Sequence, residues 1–178
     1  MIKTKELIQK YLAELDKFSI KKILDLGCGN GRLSLGFAKK GINVIGIDKI
    51  DRSILNEHFK FIQEDIKNFK FDGKYDLIIA SLVLHFLKKE AAMKIIGEIK
   101  SNTEERGFNF LICMSNEDDC SKAKPENFYP DLELLKQIYD SWEIIKSDND
   151  FTEIEEHDNL SPHRHNLIFL IARKNSLS

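Results

Sequence analysis

Residues 23–31 read Ile-Leu-Asp-Leu-Gly-Cys-Gly-Asn-Gly, an apolar run that ends in a turn with glycine at alternate positions. Glycine lets a chain leave a buried strand sharply, and its missing Cβ lets the backbone approach a ligand at contact distance. A helix predicted from about Arg32 to Lys40 would direct its free amide groups toward the same place. Dinucleotide sites prefer the spacing Gly-x-Gly-x-x-Gly, but Arg32 holds the position of the third glycine. The turn therefore predicts a ligand site that is not of the dinucleotide kind.

Acidic residues stand near the ends of the first three predicted strands. Asp25 precedes the first glycine of the turn, where its carboxylate would order the loop or, through water, receive an ammonium group. Asp48 ends the second apolar run about twenty residues after the turn, a position that presents a carboxylate to ribose hydroxyls. Asp65 would accept from an adenine amino group while Ile66 covers the ring, or it would cap a turn. This combination favours S-adenosylmethionine as the cofactor.

The alternation of elements predicts an α/β protein. Strands expected near 21–26, 43–48, 59–64 and 75–81, with helices between them, imply right-handed βαβ units in a mainly parallel sheet. The crossover after Asp48 has only about ten residues, so we expect its helix to be short. The further predicted elements are a helix at 4–17 that packs against the sheet, helices at 88–102 and 131–139, a strand at 107–115 at the sheet centre, and closing strands at 142–147 and 165–173. The polar loop at 116–130 is predicted to be a lid or substrate-recognition element, or else a surface insertion.

Composition agrees with one compact domain spanning residues 1–178. A chain of 178 residues with 42% hydrophobic content can bury an ordinary core but is short for two domains. The net charge of -2 offers no basic footprint for a nucleic-acid backbone. No apolar stretch has the length of a membrane span or a secretory signal, so we expect a cytoplasmic protein. Cys28, Cys113 and Cys120 form no disulfide framework or metal-ligand spacing, and we expect the first two to be buried thiols.

Four segments carry a resemblance to a known family. They read Leu-Asp-Leu-Gly-Cys-Gly-Asn-Gly-Arg-Leu-Ser-Leu at 24–35, Phe-Asp-Gly-Lys-Tyr-Asp at 71–76, Val-Leu-His-Phe-Leu at 83–87 and Ile-Ala-Arg-Lys at 171–174. With them the chain resembles the class I S-adenosylmethionine-dependent methyltransferases, and most of all the tellurite-resistance (TehB-like) branch. The resemblance implies a single-domain Rossmann-like fold, with a seven-stranded, mainly parallel sheet, an antiparallel last strand and helices on both faces.

The same resemblance implies a set of cofactor-binding residues. They are Gly27, Gly29, Asp48, Lys49, Asp65, Ile66 and Ser81, to which the turn itself adds Asp25 and Gly31.

Histidines are the candidate catalytic residues. His85 follows the fourth strand, where the family places residues near the transferred methyl group; alternatively it caps a helix. His163 and His165 lie two residues apart, so an extended backbone would point both rings to one face. They would act as a general base near neutral pH, bind a metal together with His157, or have a structural role. We predict no metal in the site.

These features predict transfer of a methyl group from S-adenosylmethionine to a small-molecule acceptor such as a thiol, oxyanion, amine or small acid. A methyl sulfonium is already electrophilic, so the protein mainly has to position the acceptor. One alternative is a nucleic-acid (RNA) methyltransferase, although Ala80-Ser81-Leu82-Val83 stands where an Asn/Asp-Pro-Pro-Tyr type of signature would be expected. The other alternative is a non-catalytic, cofactor-binding partner subunit.

Overall fold

A seven-stranded sheet runs through the centre of the molecule. The computed structural model describes residues 4–154 and 163–176. Its strands are β1 (Lys22–Leu26), β2 (Asn43–Asp48), β3 (Phe59–Gln63), β4 (Tyr75–Ser81), β5 (Thr103–Met114), β6 (Glu143–Phe151) and β7 (Asn166–Arg173). They lie in the order β3-β2-β1-β4-β5-β7-β6. The first five strands are mutually parallel, whereas β7 is antiparallel to both β5 and β6. The predicted mainly parallel sheet with an antiparallel last strand is confirmed.

Helices cover both faces of this sheet. They are α1 (Thr4–Leu15), α2 (Leu35–Ala38), α3 (Lys89–Ser101), α4 (Asp119–Ala123) and α5 (Leu132–Ile138), with a 3₁₀ turn at Leu84–Phe86. Successive residues of a strand point to opposite faces, and the buried side chains accordingly form two clusters. α1 and α2 belong to one cluster, and α3 and α5 belong to the other. Within the described ranges, no helix is long and apolar enough to cross a membrane.

Strand β5 shows why the sheet interior is so apolar. Seven consecutive residues from Gly107 to Cys113 are buried, as expected of a strand covered on both faces. The strand lies between β4 and β7, so it is an interior strand, but the central place predicted for it is held by its neighbour β4. It begins at Thr103, four residues before the predicted start, because Thr103 pairs with Tyr75 ahead of a register shift. β6 likewise continues to Phe151 rather than ending at 147, since it stays paired with β7.

Two predictions about the connections are wrong. The helix expected from Arg32 to Lys40 is only Leu35–Ala38, because the preceding residues form tight turns and Ser34 directs its hydroxyl inward to Asp25. The connections at 49–58 and 64–74 contain no helix, although both are fully described. Each has fewer residues than a helical crossover normally uses, so turns make the passage instead.

Candidate functional site

The glycine turn after β1 is held between its neighbouring strand ends. Gly27, Gly29 and Gly31 have φ values of 70°, 53° and 73°, in the left-handed region that favours glycine. The amides of Gly27 and Cys28 donate to the Ile47 carbonyl at 2.8 and 3.0 Å. A Cβ on Gly27 would lie 2.4 Å from a methyl group of Val83. The turn is therefore packed against the segment that follows β4, and glycine is required where the two meet.

Asp48 stands at the carboxyl end of β2 and faces this turn. Its Oδ2 accepts from the Gly29 amide at 2.9 Å, and its Oδ1 accepts from the Ile50 amide at 3.0 Å. Both bonds come from the backbone, so they fix the carboxylate in place while each oxygen keeps a lone pair for a further donor. Asp48 can thus present two acceptors to vicinal hydroxyl groups, which is the chemistry predicted from its position in the sequence.

A cavity of about 360 Å³ opens beside Asp48 at the carboxyl edge of the sheet. Asp65 lies in its wall and accepts from the Lys67 amide at 3.0 Å, so the turn-capping alternative for Asp65 is confirmed. Its ligand role stays a prediction, because Asp65 lines the cavity but its Oδ2 also lies 3.4 Å from the Lys67 ammonium group. Ile66 next to it is 8% exposed. The cavity is lined by Gly27, Asp48, Lys49, Ile50, Arg52, Glu64, Asp65, Ile66, Lys67, Leu82, Val83, Phe86 and Leu87.

A second cavity, of about 220 Å³, lies on the other side of Gly27. It shares Gly27 and Leu82 with the first, so the two form one crevice over the ends of β1, β2 and β4. Leu82 has φ 51°, a strained conformation for a branched residue and one that clusters at functional sites. The second cavity is lined by Asp25, Gly27, Cys28, Gly29, Asn30, Arg32, Leu33, Ser81 and Leu82.

Asp25 is the buried carboxyl group of this second cavity. It is 2% exposed and accepts from the Ser34 hydroxyl at 2.5 Å. Burial raises the pKa of Asp25 to about 7, the Ser34 hydrogen bond opposes that rise, and the charge of Asp48 adds to it. A cation in the cavity would oppose both causes of the rise and favour the ionised carboxylate.

Of the predicted cofactor-binding residues, eight line one or both cavities and Gly31 does not. Gly31 instead faces Ile54, Leu35 and Phe59, and its amide donates to the Cys28 carbonyl at 2.9 Å. Its place in the structure is therefore that of a residue that closes the turn. Nothing beyond this placement tests the ligand roles of these residues.

His85 lies beyond β4, inside the 3₁₀ turn Leu84–Phe86 and not at a helix start. The N-cap of α3 is Lys88, so the helix-cap alternative for His85 is wrong. Its ring packs 4.1 Å from that of Phe86 and 6.2 Å from that of Tyr129. Burial lowers the pKa of His85 to about 4, although the charge of Asp118 opposes this, so the imidazole is neutral at pH 7. A neutral ring at this position can exchange hydrogen bonds but is a weak base.

His165 is paired with a buried carboxylate that the sequence did not identify. Its Nδ1 lies 3.0 Å from Asp118 Oδ2, and Asp118 is 3% exposed. Burial raises the pKa of Asp118, but hydrogen bonds from Cys120, Asn166 and His165 outweigh that effect and lower it overall. The His163 ring lies 5.1 Å from the His165 ring, and His157 is outside the described residues. The structure therefore brings the two candidate histidines together beside an ionised partner.

The segment 116–130 that carries Asp118 is less irregular than predicted. It contains the short helix α4 and is tied down at its far end, where the Asn127 side chain donates to the His85 carbonyl at 2.9 Å. The Phe128 amide also donates to the Leu87 carbonyl at 2.9 Å. These bonds bring the predicted lid against the turn that follows β4, next to the crevice.

The cysteines behave as three different groups. Cys28 and Cys113 are buried, as predicted, and burial raises the pKa of both thiols, that of Cys113 to about 12. Cys120 is half-buried beside Asp118, and burial with the nearby carboxylate raises its pKa. None of these thiols is a ready nucleophile in the described structure, since the thiolate is the reactive form.

Comparison with known proteins identifies the family to which this chain is similar. Residues 10–170 match the family described as Tellurite resistance protein TehB. A Haemophilus influenzae protein named Probable S-adenosyl-L-methionine-dependent methyltransferase TehB is 31% identical over 146 residues, or 77% of this chain and 51% of that relative. The chain thus spans about half the length of the curated relatives that carry this name.

Solved structures give the same answer for the fold. The crystal structure of TehB from Haemophilus influenzae superposes with a TM-score of 0.77 at 26% identity, over 94% of this chain and 62% of that one. The N-methyltransferase NodS from Bradyrhizobium japonicum, in complex with S-adenosyl-l-homocysteine, shares the fold with a TM-score of 0.72 at 15% identity, over 96% of this chain and 86% of that one. The chain therefore belongs to the TehB family and has the Rossmann-like fold of the class I S-adenosylmethionine-dependent methyltransferases.

Proposed function

We propose that this protein is an enzyme that transfers the methyl group of S-adenosylmethionine to a small-molecule acceptor. The observation that carries the proposal is the two-part crevice, in which cavities of about 360 and 220 Å³ meet at Gly27 and Leu82. One part offers acceptors for a nucleoside and the other offers a buried carboxylate. A ligand with a nucleoside at one end and an amino-acid cation at the other fits this division.

The larger cavity suits the adenosine half. Asp48, fixed by two backbone amides, would accept from the ribose hydroxyls. Asp65 would accept from the adenine amino group, while Ile66 and Leu87 cover the base. Because the protein binds the base mainly through apolar contact and one carboxylate, we expect adenosine analogues without the amino group to bind more weakly.

The smaller cavity suits the methionine half. Asp25 is the carboxylate that would face the ammonium group, directly or through water, and Ser34 holds it in place. Ser81, at the end of β4, lines the same cavity. The arrangement leaves the junction at Gly27 and Leu82 for the sulfonium and its methyl group.

When bound, the cofactor supplies an electrophilic methyl group, and the residues of this chain have to place the acceptor in line with it. We propose His165 for proton removal where the acceptor needs it, because Asp118 orients its ring at 3.0 Å. His163 would act beside it, since the two rings lie 5.1 Å apart. His85 would hydrogen-bond the acceptor as a neutral ring, since its pKa is lowered to about 4 by burial.

The acceptor is proposed to be small because segment 116–130 folds back over the post-β4 turn. Its bonds to His85 and Leu87 keep it close to the crevice. The net charge of -2 also gives no net positive field to attract an RNA backbone. Residues 1–178 would then act as one catalytic domain, and the cytoplasmic location expected from the sequence stays a prediction.

A labelled-methyl assay tests this proposal. Purified protein is incubated with methyl-labelled S-adenosylmethionine and, separately, with thiols, selenite, tellurite, amines, small acids and bulk RNA. We expect acceptor-dependent formation of S-adenosylhomocysteine with one class of small molecule, lost in Asp48→Ala and kept in the matched Asp51→Ala variant of the same segment. Label incorporated only into RNA, or no acceptor-dependent product at all, would overturn the proposal.

A further inference from the structure

Asp118, Cys120 and His165 bring a carboxylate, a thiol and an imidazole to one point beyond the carboxyl end of β5. We propose that these three side chains bind a divalent cation of the zinc class. One ligand atom from each residue lies within 4.8 Å of the other two. The proposal concerns ion binding alone, and it holds whether or not methyl transfer takes place in the neighbouring crevice.

The fold builds this cluster around one carboxylate. Asp118 caps α4 by accepting from the Cys120 amide at 2.8 Å through Oδ1. Its Oδ2 accepts from the Asn166 amide at 2.9 Å and lies 3.0 Å from His165 Nδ1. Two segments distant in sequence are thus already joined at the site. Two of the three ligands are therefore in contact before an ion arrives, which lowers the ordering cost of binding.

A cation would displace a proton from this cluster. The Cys120 thiol and His165 Nδ1 both lie beside Asp118, with Nδ1 3.0 Å from Asp118 Oδ2. On binding, the thiol would release its proton to solvent, and the neutral ring would carry its proton on Nε2 and ligate through Nδ1. The carboxylate and the thiolate would then balance the two charges of the ion.

Two neighbouring polar atoms point independently to a missing partner. Among the described residues, Asn166 Oδ1 and His85 Nδ1 are buried and make no hydrogen bond. The other atoms of Asn166 are engaged, since its amide donates to Asp118 and its Nδ2 donates to Glu117 at 3.3 Å. His85 is 7% exposed and close enough to feel the charge of Asp118. Buried polar atoms are costly to leave unpaired, and water on a bound cation would be a donor for them.

The ligand set selects the kind of ion. Sulfur, nitrogen and a single carboxylate suit zinc and its analogues, whereas calcium and magnesium prefer all-oxygen sites. Ligand atoms of a tetrahedral zinc site lie about 3.5 Å apart, so the present cluster needs a contraction of roughly 1 Å. Cys120 and His165 are both half-buried, so an ion can reach them from solvent. Three protein ligands would leave one coordination position open.

If the proposed methyl transfer is correct, the ion would also regulate it. The nitrogen that binds the ion fixes the His165 proton on Nε2, and the ring can then no longer accept one. This part of the inference rests on the proposed function. It predicts that zinc lowers turnover with acceptors that must lose a proton, and that chelation restores it.

The test uses cobalt(II) as a spectroscopic probe on the chelator-treated protein. We expect one ion per chain, a thiolate-to-cobalt charge-transfer band, visible bands of tetrahedral cobalt, and displacement of both by zinc. Cys120→Ser should abolish the charge-transfer band and weaken zinc binding by at least about tenfold, the scale seen even for outer-shell changes. Asp119→Asn is the matched control, because this neighbouring acid is 87% exposed at its side chain and pairs with Lys122. It should bind the ion like the unaltered protein.

A second variant keeps the result interpretable. His165→Asn can retain the hydrogen bond to Asp118 and should still lose the ion, and unfolding curves without metal would show that both variants are folded. A missing charge-transfer band in the unaltered protein, or one that persists in Cys120→Ser, would overturn the metal site. Either result with methyl transfer intact would leave the proposed function standing.

Discussion

At the scale of the residue, the crevice contains two carboxylates with opposite environments. Asp48 is half-exposed and receives two backbone amides, while Asp25 is 2% exposed and receives one hydroxyl. An aspartate side chain therefore serves as a ready hydrogen-bond acceptor in one cavity, at Asp48, and has a raised pKa in the other, at Asp25.

The raised pKa of Asp25 predicts a pH dependence of stability. Below about pH 4 Asp25 is protonated in both the folded and the unfolded chain, so it has no effect. Between about pH 4 and 7 only the unfolded chain ionises, because burial holds the folded pKa near 7, and stability falls as pH rises. We expect Asp25→Asn, which can still accept from Ser34, to remove a loss on the order of 2–4 kcal/mol between these pH values. Urea unfolding at pH 5 and 8 measures it, and an unchanged pH slope in the variant would contradict the account.

The histidine pair gives a kinetic prediction. Replacing His163 and His165 by alanine should lower kcat by about 100-fold or more for an acceptor that must lose a proton, the usual scale of general-base catalysis. Cofactor affinity should stay within about twofold, because the pair and the cofactor share only the methyl group. His165→Asn keeps a partner for Asp118 and should be as slow, whereas His58→Ala, on the 49–58 connection, should be normal. Full turnover in His165→Asn would remove the base from the mechanism.

Candidate residues at strand ends could be predicted from the sequence more easily than the side chains that they contact. Asp48 was identified because the end of a parallel strand lies at the ligand edge of the sheet. The partner of His165 was missed because Asp118 is 47 positions away, and only the meeting of β5 and β7 joins them. The position of Asp118 at the start of a helix indicates a carboxylate that is held in place by capping. It gives no indication that the same carboxylate also contacts His165.

At the scale of the element, the glycine turn works because two backbones meet closely. Gly27 and Gly29 share a left-handed φ, but a Cβ on Gly27 would strike Val83, whereas a Cβ on Gly29 would meet open space. The two positions therefore separate the cost of the backbone conformation from the cost of the contact.

We predict that Gly29→Ala lowers the free energy of unfolding by about 1–2 kcal/mol, the cost of placing a Cβ in the left-handed region. Gly27→Ala should cost about 1–3 kcal/mol more, because a methyl group is forced into a packed site. Val83→Ala added to Gly27→Ala should recover part of that difference. Chemical unfolding of the three variants provides the comparison. Equal losses for the two glycines would show that the contact with Val83 is unimportant.

Elements were predicted well where a strand is buried and poorly where a connection is short. The apolar run of β5 admitted only an interior strand. The helix after the turn was predicted too long because its start depends on Ser34, whose side chain bonds to Asp25 rather than capping the helix. A tertiary contact decides which group the Ser34 hydroxyl bonds to, so the local sequence does not indicate where the helix begins.

At the scale of the whole molecule, α1 closes one face of the sheet over strands that come late in the chain. Tyr11 is fully buried, its ring lies 5.6 Å from Phe110 and 5.0 Å from Phe169, and its hydroxyl donates to Asp148 at 2.6 Å. The predicted packing of the first helix on the sheet is confirmed, although its partner strands could not be read from periodicity alone.

Tyr11 gives a prediction about global stability. Tyr11→Phe should cost about 1 kcal/mol, because it removes one hydrogen bond while the exposed Asp148 returns to water. Tyr11→Ala should cost about 3–5 kcal/mol, since a buried aromatic ring leaves a cavity. Thermal or urea unfolding distinguishes the two. Similar losses would mean that the hydrogen bond, and not ring burial, holds α1 in place.

The central claim is that the crevice at the ends of β1, β2 and β4 binds S-adenosylmethionine through Asp48, and calorimetry tests it most directly. We expect S-adenosylmethionine and S-adenosylhomocysteine to bind the unaltered protein at one site per chain. Asp48→Ala should weaken both by ~1–3 kcal/mol, the scale of lost hydrogen bonds to a charged group. Asp51→Ala, which removes only a local turn bond to the Ser53 amide, should leave them unchanged. No binding to the unaltered protein, or undiminished affinity in Asp48→Ala, would contradict the account.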